Sequence, residues 1–371
     1  MRLRASAVVV VAVWACDGIA PPSARDGGAV RRDAGASRDA GTVRDGGVYD
    51  GGVDCIDRLT VLTEPPDRLS ELGLYEDFAR RTIAADVEAF SPRFELWSDG
   101  ADKRRWLYLP RCNGPIDSID MDDWRFPVGT RAFKEFSVNG QPIETRMVHR
   151  TGPGIDDFMF VHYLWAEDGS DAFLVTEETD PALLEDAHGY DYDVPSAGVC
   201  IRCHGERGGD PGGLSSRFLG VSAVQLGHDG PGVTLRTLSE RGALARPRPE
   251  GVQLPGDEVT SAALGYLHAN CAHCHNEDPD AVPFPNHPFS LQLGANDSSI
   301  WDTGAYRTAV DVEIRGFFGG CGYRVALGDP EDSCVFTRIR VRGEGESPMP
   351  PILSDRVHQA GLERVRAWLT R

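Results

Sequence analysis

Thr130-Arg-Ala-Phe-Lys-Glu-Phe-Ser-Val138, Asn139-Gly140 and Gln-Pro-Ile143-Glu-Thr-Arg-Met-Val-His-Arg150 follow one another without a break. Two β-rich runs flank an Asn-Gly pair, whose residues tolerate the positive φ angles that a tight two-residue hairpin demands. Working outward, Trp106–Leu109 precedes this hairpin; Phe158–Trp165 and Ala172–Thr176 follow it, with Asp168-Gly169 as a further turn signal. A helix-like stretch from Leu69 to Phe90 is expected to open the region. Residues 55–204 therefore predict a mostly β domain, long enough to bury a core.

That domain is expected to end in Cys200-Ile-Arg-Cys203-His204, and a second copy, Cys271-Ala-His-Cys274-His275, lies downstream. C-x-x-C-H is the attachment pattern of c-type haem. Two intervening residues let both thiols reach one porphyrin edge, and the adjacent histidine is placed to bind iron. The pair predicts two covalently attached haem c groups, held by Cys200 and Cys203 and by Cys271 and Cys274, with His204 and His275 as iron ligands. A structural zinc site uses the same residue types and is the competing reading; the expected compartment weighs against it.

Residues 1–16 read as an export signal, with Arg2 and Arg4 ahead of an apolar Ala5–Ala15 run too short to span a bilayer. Val13-Trp14-Ala15-Cys16 resembles a bacterial lipoprotein processing box. Cys16 would then carry acyl chains that tether the protein to a membrane, at ~0.8 kcal/mol per buried CH₂; a secreted protein with unmodified Cys16 is the alternative. Setting Cys16 and the four motif cysteines aside leaves Cys55, Cys112, Cys321 and Cys334, which suit two disulfides in a periplasmic or cell-surface setting. Sequence allows three pairings; the domain boundaries favour Cys55–Cys112 and Cys321–Cys334. A net charge of −19 argues against nucleic acid and suits solubility or a cationic redox partner.

Residues 17–54 repeat Arg25-Asp-Gly-Gly, Arg32-Asp-Ala-Gly, Arg38-Asp-Ala-Gly and Arg44-Asp-Gly-Gly, too polar to offset the entropy of ordering, and predict a disordered tether. Residues 205–252 show no steady periodicity and are expected to be a haem-covering loop and linker. Residues 253–371 predict an all-α domain, so the fold class expected of the whole chain is multidomain α+β. Asp257 can cap a helix leading directly into Cys271, and Ser354 or Asp355 a closing helix with Leu362, Val365, Trp368 and Leu369 on its inner face. Met349, in Ser347-Pro-Met-Pro-Pro351, is the only methionine downstream of either motif. It is expected to be the second ligand of the C-terminal haem, with core packing as the alternative. For the first haem, His149, His162 and His228 remain open as distal ligands.

Lys103 and Lys134 are the only lysines among 38 basic residues. By strand alternation Lys134 shares a face with Ala132, Phe136 and Val138, where an amine is costly unless paired or used. Snorkelling to solvent or pairing with Glu144 is the plainer alternative.

The region from about 69 to 371 resembles a bacterial family of exported di-haem c-type cytochromes. The resemblance is carried by Leu69-Ser-Glu-Leu-Gly-Leu-Tyr, Asp102-Lys-Arg-Arg-Trp-Leu-Tyr-Leu-Pro110, Trp124 to Phe136, both C-x-x-C-H motifs, Gly328-Asp-Pro-Glu and Met349-Pro-Pro351. Residues 97–204 are similar to the β-sheet cytochromes of the lysine-crosslinked, c-prime-beta type. That similarity implies an open distal face at the first haem and a catalytic role for Lys134, through a Lys134–haem bond. Residues 253–371 are similar to class I cytochrome c in their order of helix, haem motif, loop, methionine and closing helix.

Together these readings predict an exported, membrane-tethered electron carrier with two haems and a periplasmic or membrane redox partner. The alternatives are an oxidoreductase whose first haem handles a peroxide or nitrogen oxide, or a haem-based sensor.

Overall fold

Two short strands, β1 (Tyr75–Asp77) and β2 (Thr82–Ile83), pair ahead of a six-stranded antiparallel meander in the computed structural model. Its strands are β3 (Val87–Ala89), β4 (Asp102–Tyr108), β5 (Arg131–Val138), β6 (Gln141–Arg150), β7 (Phe158–Trp165) and β8 (Ala172–Leu174), neighbours in space as in sequence. A separate pair, β9 (Leu184–Ala187) and β10 (Tyr190–Tyr192), follows. The structure describes residues 56–176, 184–187, 190–192, 194–195, 200, 203–205, 217–277, 288–314, 320–343 and 346–371.

Asn139 and Gly140 join β5 to β6 with φ of 49° and 78°, the left-handed pair that matches the twist of the flanking strands. The helix expected over 69–90 is replaced by a single 3-10 turn at Leu69–Leu72, ended by Gly73 at φ 74°, and by β1 to β3. Leu69, Leu72 and Leu74 carry helix-like spacing, but all three are buried against the sheet.

Strand register assigns the two sheet faces. One carries Trp106, Tyr108, Phe133, Met147, Tyr163 and Trp165 into a core with Leu69, Leu72 and Leu74. The other buries Leu107, Ala132 and Val148 in the main core, while Phe136, Val138 and Leu164 pack with Tyr192 and Val194. Between these two apolar patches runs a polar row: Arg105 opposite Lys134, Lys134 opposite Arg146, and Arg146 opposite His162.

The α-helices are α1 (Ala223–Leu226), α2 (Leu235–Glu240), α3 (Glu258–Asn270), α4 (Gly304–Thr308), α5 (Cys334–Ile339) and α6 (Gln359–Leu369). The expected all-α C-terminal domain is overturned. Among the described residues only α3 and α6, of 13 and 11 residues, exceed two turns. Between them the described residues hold only the short α4 and α5 and loops stitched by isolated β-bridges, Val310 with Val325 and Glu313 with Tyr323. The physical reason is a shared core. Phe90, Leu107, Trp124 and Phe126 bury in the same cluster as Leu264, Tyr266, Phe336 and Trp368, and Leu226, Leu235 and Leu238 join them. Residues 54–371 accordingly form one unit, and the apolar faces of α3 and α6 need no further helices to cover them. Gly361 lets α6 close on α3, since a Cβ there would lie 2.3 Å from the Tyr266 ring. Among the described residues no helix is long and apolar enough to cross a membrane.

Candidate functional site

The second motif grows out of α3. Asp257 caps the helix by accepting from Thr260 N–H at 2.9 Å, as the sequence led one to expect. At the other end Cys271 N–H donates to Leu267, and His275 N–H donates to the Cys271 carbonyl at 2.8 Å. Cys271, Cys274 and His275 thus lie on one continuing helical turn. Asn270 anchors the turn to the β half: its side-chain oxygen accepts from Trp97 N–H at 2.7 Å, and its amide donates to the Glu95 carbonyl at 3.1 Å. Burial holds His275 neutral, with its pKa down to about 4, and its ring lies 4.6 Å from that of Phe289.

The first motif lies by the polar row of the sheet. Phe160 of β7 lies 5.4 Å from the His204 ring. Burial is the main cause that lowers the His204 pKa to about 4, and the Arg146 charge acts in the same direction. Its Nδ1 lies 3.1 Å from the Arg217 carbonyl. A carbonyl only accepts, so Nδ1 carries the proton and Nε2 keeps its lone pair, the tautomer that a metal-binding imidazole needs.

The row itself is tightly organised. Glu144 is fully buried and accepts from Arg146 Nε at 3.1 Å and from the Tyr192 hydroxyl at 2.7 Å. Burial alone would raise the Glu144 pKa; Arg146 and Tyr192 overcome this and keep it below its ordinary value. Arg105 pairs with Glu95 at 3.1 Å. Lys134 instead places its Nζ 4.7 Å from the centre of the Phe136 ring. Burial, helped by the Arg105, Arg146 and Lys103 charges, holds its pKa well below the usual lysine range, which favours an uncharged amine. Cys200 feels both Arg146 and Glu144.

The two motifs meet. Cys203 and Cys274 lie against one another, and their interaction pushes Cys203 up to about 12 and holds Cys274 below its ordinary value. No known protein family, curated protein or solved structure matches the chain. The residues fit haem: each motif offers two cysteines outside any disulfide and a neutral histidine, and His204 has its free ring nitrogen fixed. Among the described residues no group of three or more His, Cys, Asp or Glu is gathered to hold a metal ion, the arrangement a closed zinc site would need.

Two distal candidates are already engaged at both ring nitrogens. His149 Nε2 accepts from Leu62 N–H at 3.1 Å and its Nδ1 faces the Thr130 carbonyl at 3.1 Å. His228 Nδ1 accepts from Gly230 N–H at 2.9 Å, and its Nε2 faces the Ser91 carbonyl at 2.7 Å. His162 is buried in the row beside Arg146. Met349 packs against the main core and donates its backbone N–H to the Arg338 carbonyl at 3.0 Å; the Arg338 charge in turn acts on His275.

Cys321 and Cys334 form a disulfide. Cys112 is also disulfide-bonded, while Cys55, like Cys16, lies outside the described residues. Sequence reading missed Arg217, the link between motifs, and Arg146, which pairs with Glu144 where Lys134 was the expected partner. Arg146 was accessible from hairpin register, which sets it opposite Lys134.

Proposed function

We propose that this chain is an exported di-haem c-type cytochrome, tethered to a membrane through Cys16, that carries single electrons to or from a redox partner. The observation that carries the reading is the pair of C-x-x-C-H motifs, which Arg217 links by facing His204 Nδ1 with its carbonyl at 3.1 Å and reaching the His273 carbonyl with its guanidinium at 3.3 Å. Haem bound there supplies reversible one-electron chemistry. Cys200, Cys203 and His204 would hold the first group; Cys271, Cys274 and His275 would hold the second, with Met349 as its further ligand. The chain's own part is to keep both histidines unprotonated, to orient His204 through Arg217, and to surround both groups with packed side chains. Formal charge of −19 suits a cationic partner.

A second reading is favoured by Lys134. An uncharged amine facing the first motif suits an open haem at which a peroxide or nitrogen oxide reacts, or a gas is sensed, with the second haem relaying electrons. Absorption spectra of the reduced, haem-matured protein, with and without carbon monoxide, test both. Two c-type haems with no shift support the electron carrier. A shift of half the Soret intensity moves the open-haem reading ahead, and absence of c-type bands overturns both.

A further inference from the structure

Arg217 touches both attachment motifs. Its backbone N–H donates to the His204 carbonyl at 2.9 Å, and its own carbonyl faces His204 Nδ1 at 3.1 Å. Two bonds to one residue fix the position of the backbone and the turn of the imidazole ring, as an outer hydrogen-bond partner does for a metal-binding histidine. The Arg217 guanidinium then reaches across to the carbonyl of His273, inside the second motif, at 3.3 Å. At the same junction the side chains of Cys203 and Cys274 lie against one another. These are the corresponding cysteines of the two motifs, each immediately before its histidine.

We infer that Arg217 is a positioning residue that fastens the two motifs together, so that the groups attached at Cys203 and Cys274 act as one coupled redox pair. The inference rests on the di-haem reading and adds to it the residue that sets how the two haems communicate. Haems bonded through neighbouring sulfurs feel each other's charge, because a protein interior screens far less than water. The backbone half of the clamp belongs to any residue at position 217. The link to the second motif belongs to the arginine side chain.

The test uses the haem-loaded full chain. Haem content comes first, from the alkaline pyridine spectrum, followed by electron paramagnetic resonance of the fully oxidised and half-reduced protein. The expected result is two haems per chain whose ferric signals are broadened by each other, and which sharpen when one haem is reduced. Arg217→Ala is expected to keep both haems and the tilt-sensitive signal of the first, yet to lose the mutual broadening; Arg217→Lys, which keeps a donor, is expected to retain it. Two haems with independent signals in the unaltered protein would overturn the inference while leaving the di-haem reading standing. Absence of haem would overturn the reading itself. Full coupling in Arg217→Ala would remove Arg217 from the role. Should that variant fail to load haem, the full chain made without haem is treated with a short bifunctional thiol reagent. A Cys203–Cys274 crosslink is expected, and crosslinks confined within each motif count against the junction.

Discussion

Leu62 donates its backbone N–H to Nε2 of His149 at 3.1 Å, which ties the chain entering the fold to strand β6 of the sheet. Protonating His149 would put a second N–H against the one Leu62 already presents. Burial lowers its pKa from 6.5 to about 4. A histidine with a depressed native pKa takes up protons more readily when unfolded, so its contribution is complete above pH 6.5 and is lost as pH falls toward 4. Between pH 6.5 and 5 the loss is about 1.5 kcal/mol for this one group. Denaturant titrations at both pH values are expected to show a smaller acid loss in His149→Gln by about that amount. An identical loss in variant and parent would remove His149 from the effect.

Arg146 and Glu144 are coupled in the opposite sense. Replacing Arg146 with Met strands a fully buried carboxylate and is expected to cost about 3–5 kcal/mol. The double variant Arg146→Met, Glu144→Gln is expected to recover most of it, and a double-mutant cycle measured by chemical unfolding checks the coupling.

Lys134→Met keeps the side-chain length and removes the amine from the polar row. Stability is expected to rise by on the order of 1 kcal/mol, because an apolar group replaces a polar one whose charged form the site disfavours. A lower melting temperature would instead mark the amine as a structural contact.

Met349→Ala is expected to lower the potential of the second haem by on the order of 100 mV, well inside the ~0.8 V that axial ligands span. The far-red sulfur-to-iron band should vanish with it. Potentiometric titration and the oxidised spectrum read both, and no change in either would assign Met349 to packing.

Replacing Cys321 and Cys334 together with serine opens a crosslink between residues 13 apart. The cost is expected to be about 3 kcal/mol, read as a lower denaturant midpoint that reductant no longer shifts.

The sheet was legible because its signals are local. Asn139-Gly140 sets the register of β5 and β6, and that register sets the face on which Lys134 stands. The helix at 258–270 was likewise announced by Asp257 and its apolar spacing. Two kinds of information were not local. Leu69, Leu72 and Leu74 look helical until Gly73 turns the chain, and their burial depends on strands far along the sequence. The C-terminal region looked self-sufficient because its first and last helices carry apolar faces. What those faces meet is set partly by Phe90 and Trp124, which no window of local periodicity connects to Trp368. Arg217 was invisible for the same reason, since its significance lies in a contact with His273.

Phe90 and Trp368 bury in one cluster although almost the whole of the described chain separates them. A protein threaded outward through a membrane from its first residue cannot complete that cluster until its last helix has emerged. On the proposed export, both C-x-x-C-H segments would reach the far side before then. The order of emergence would leave an interval in which the cysteines are accessible to attachment machinery and the interior is still unsealed. Loading would come before closure, and the final helix would act as the latch.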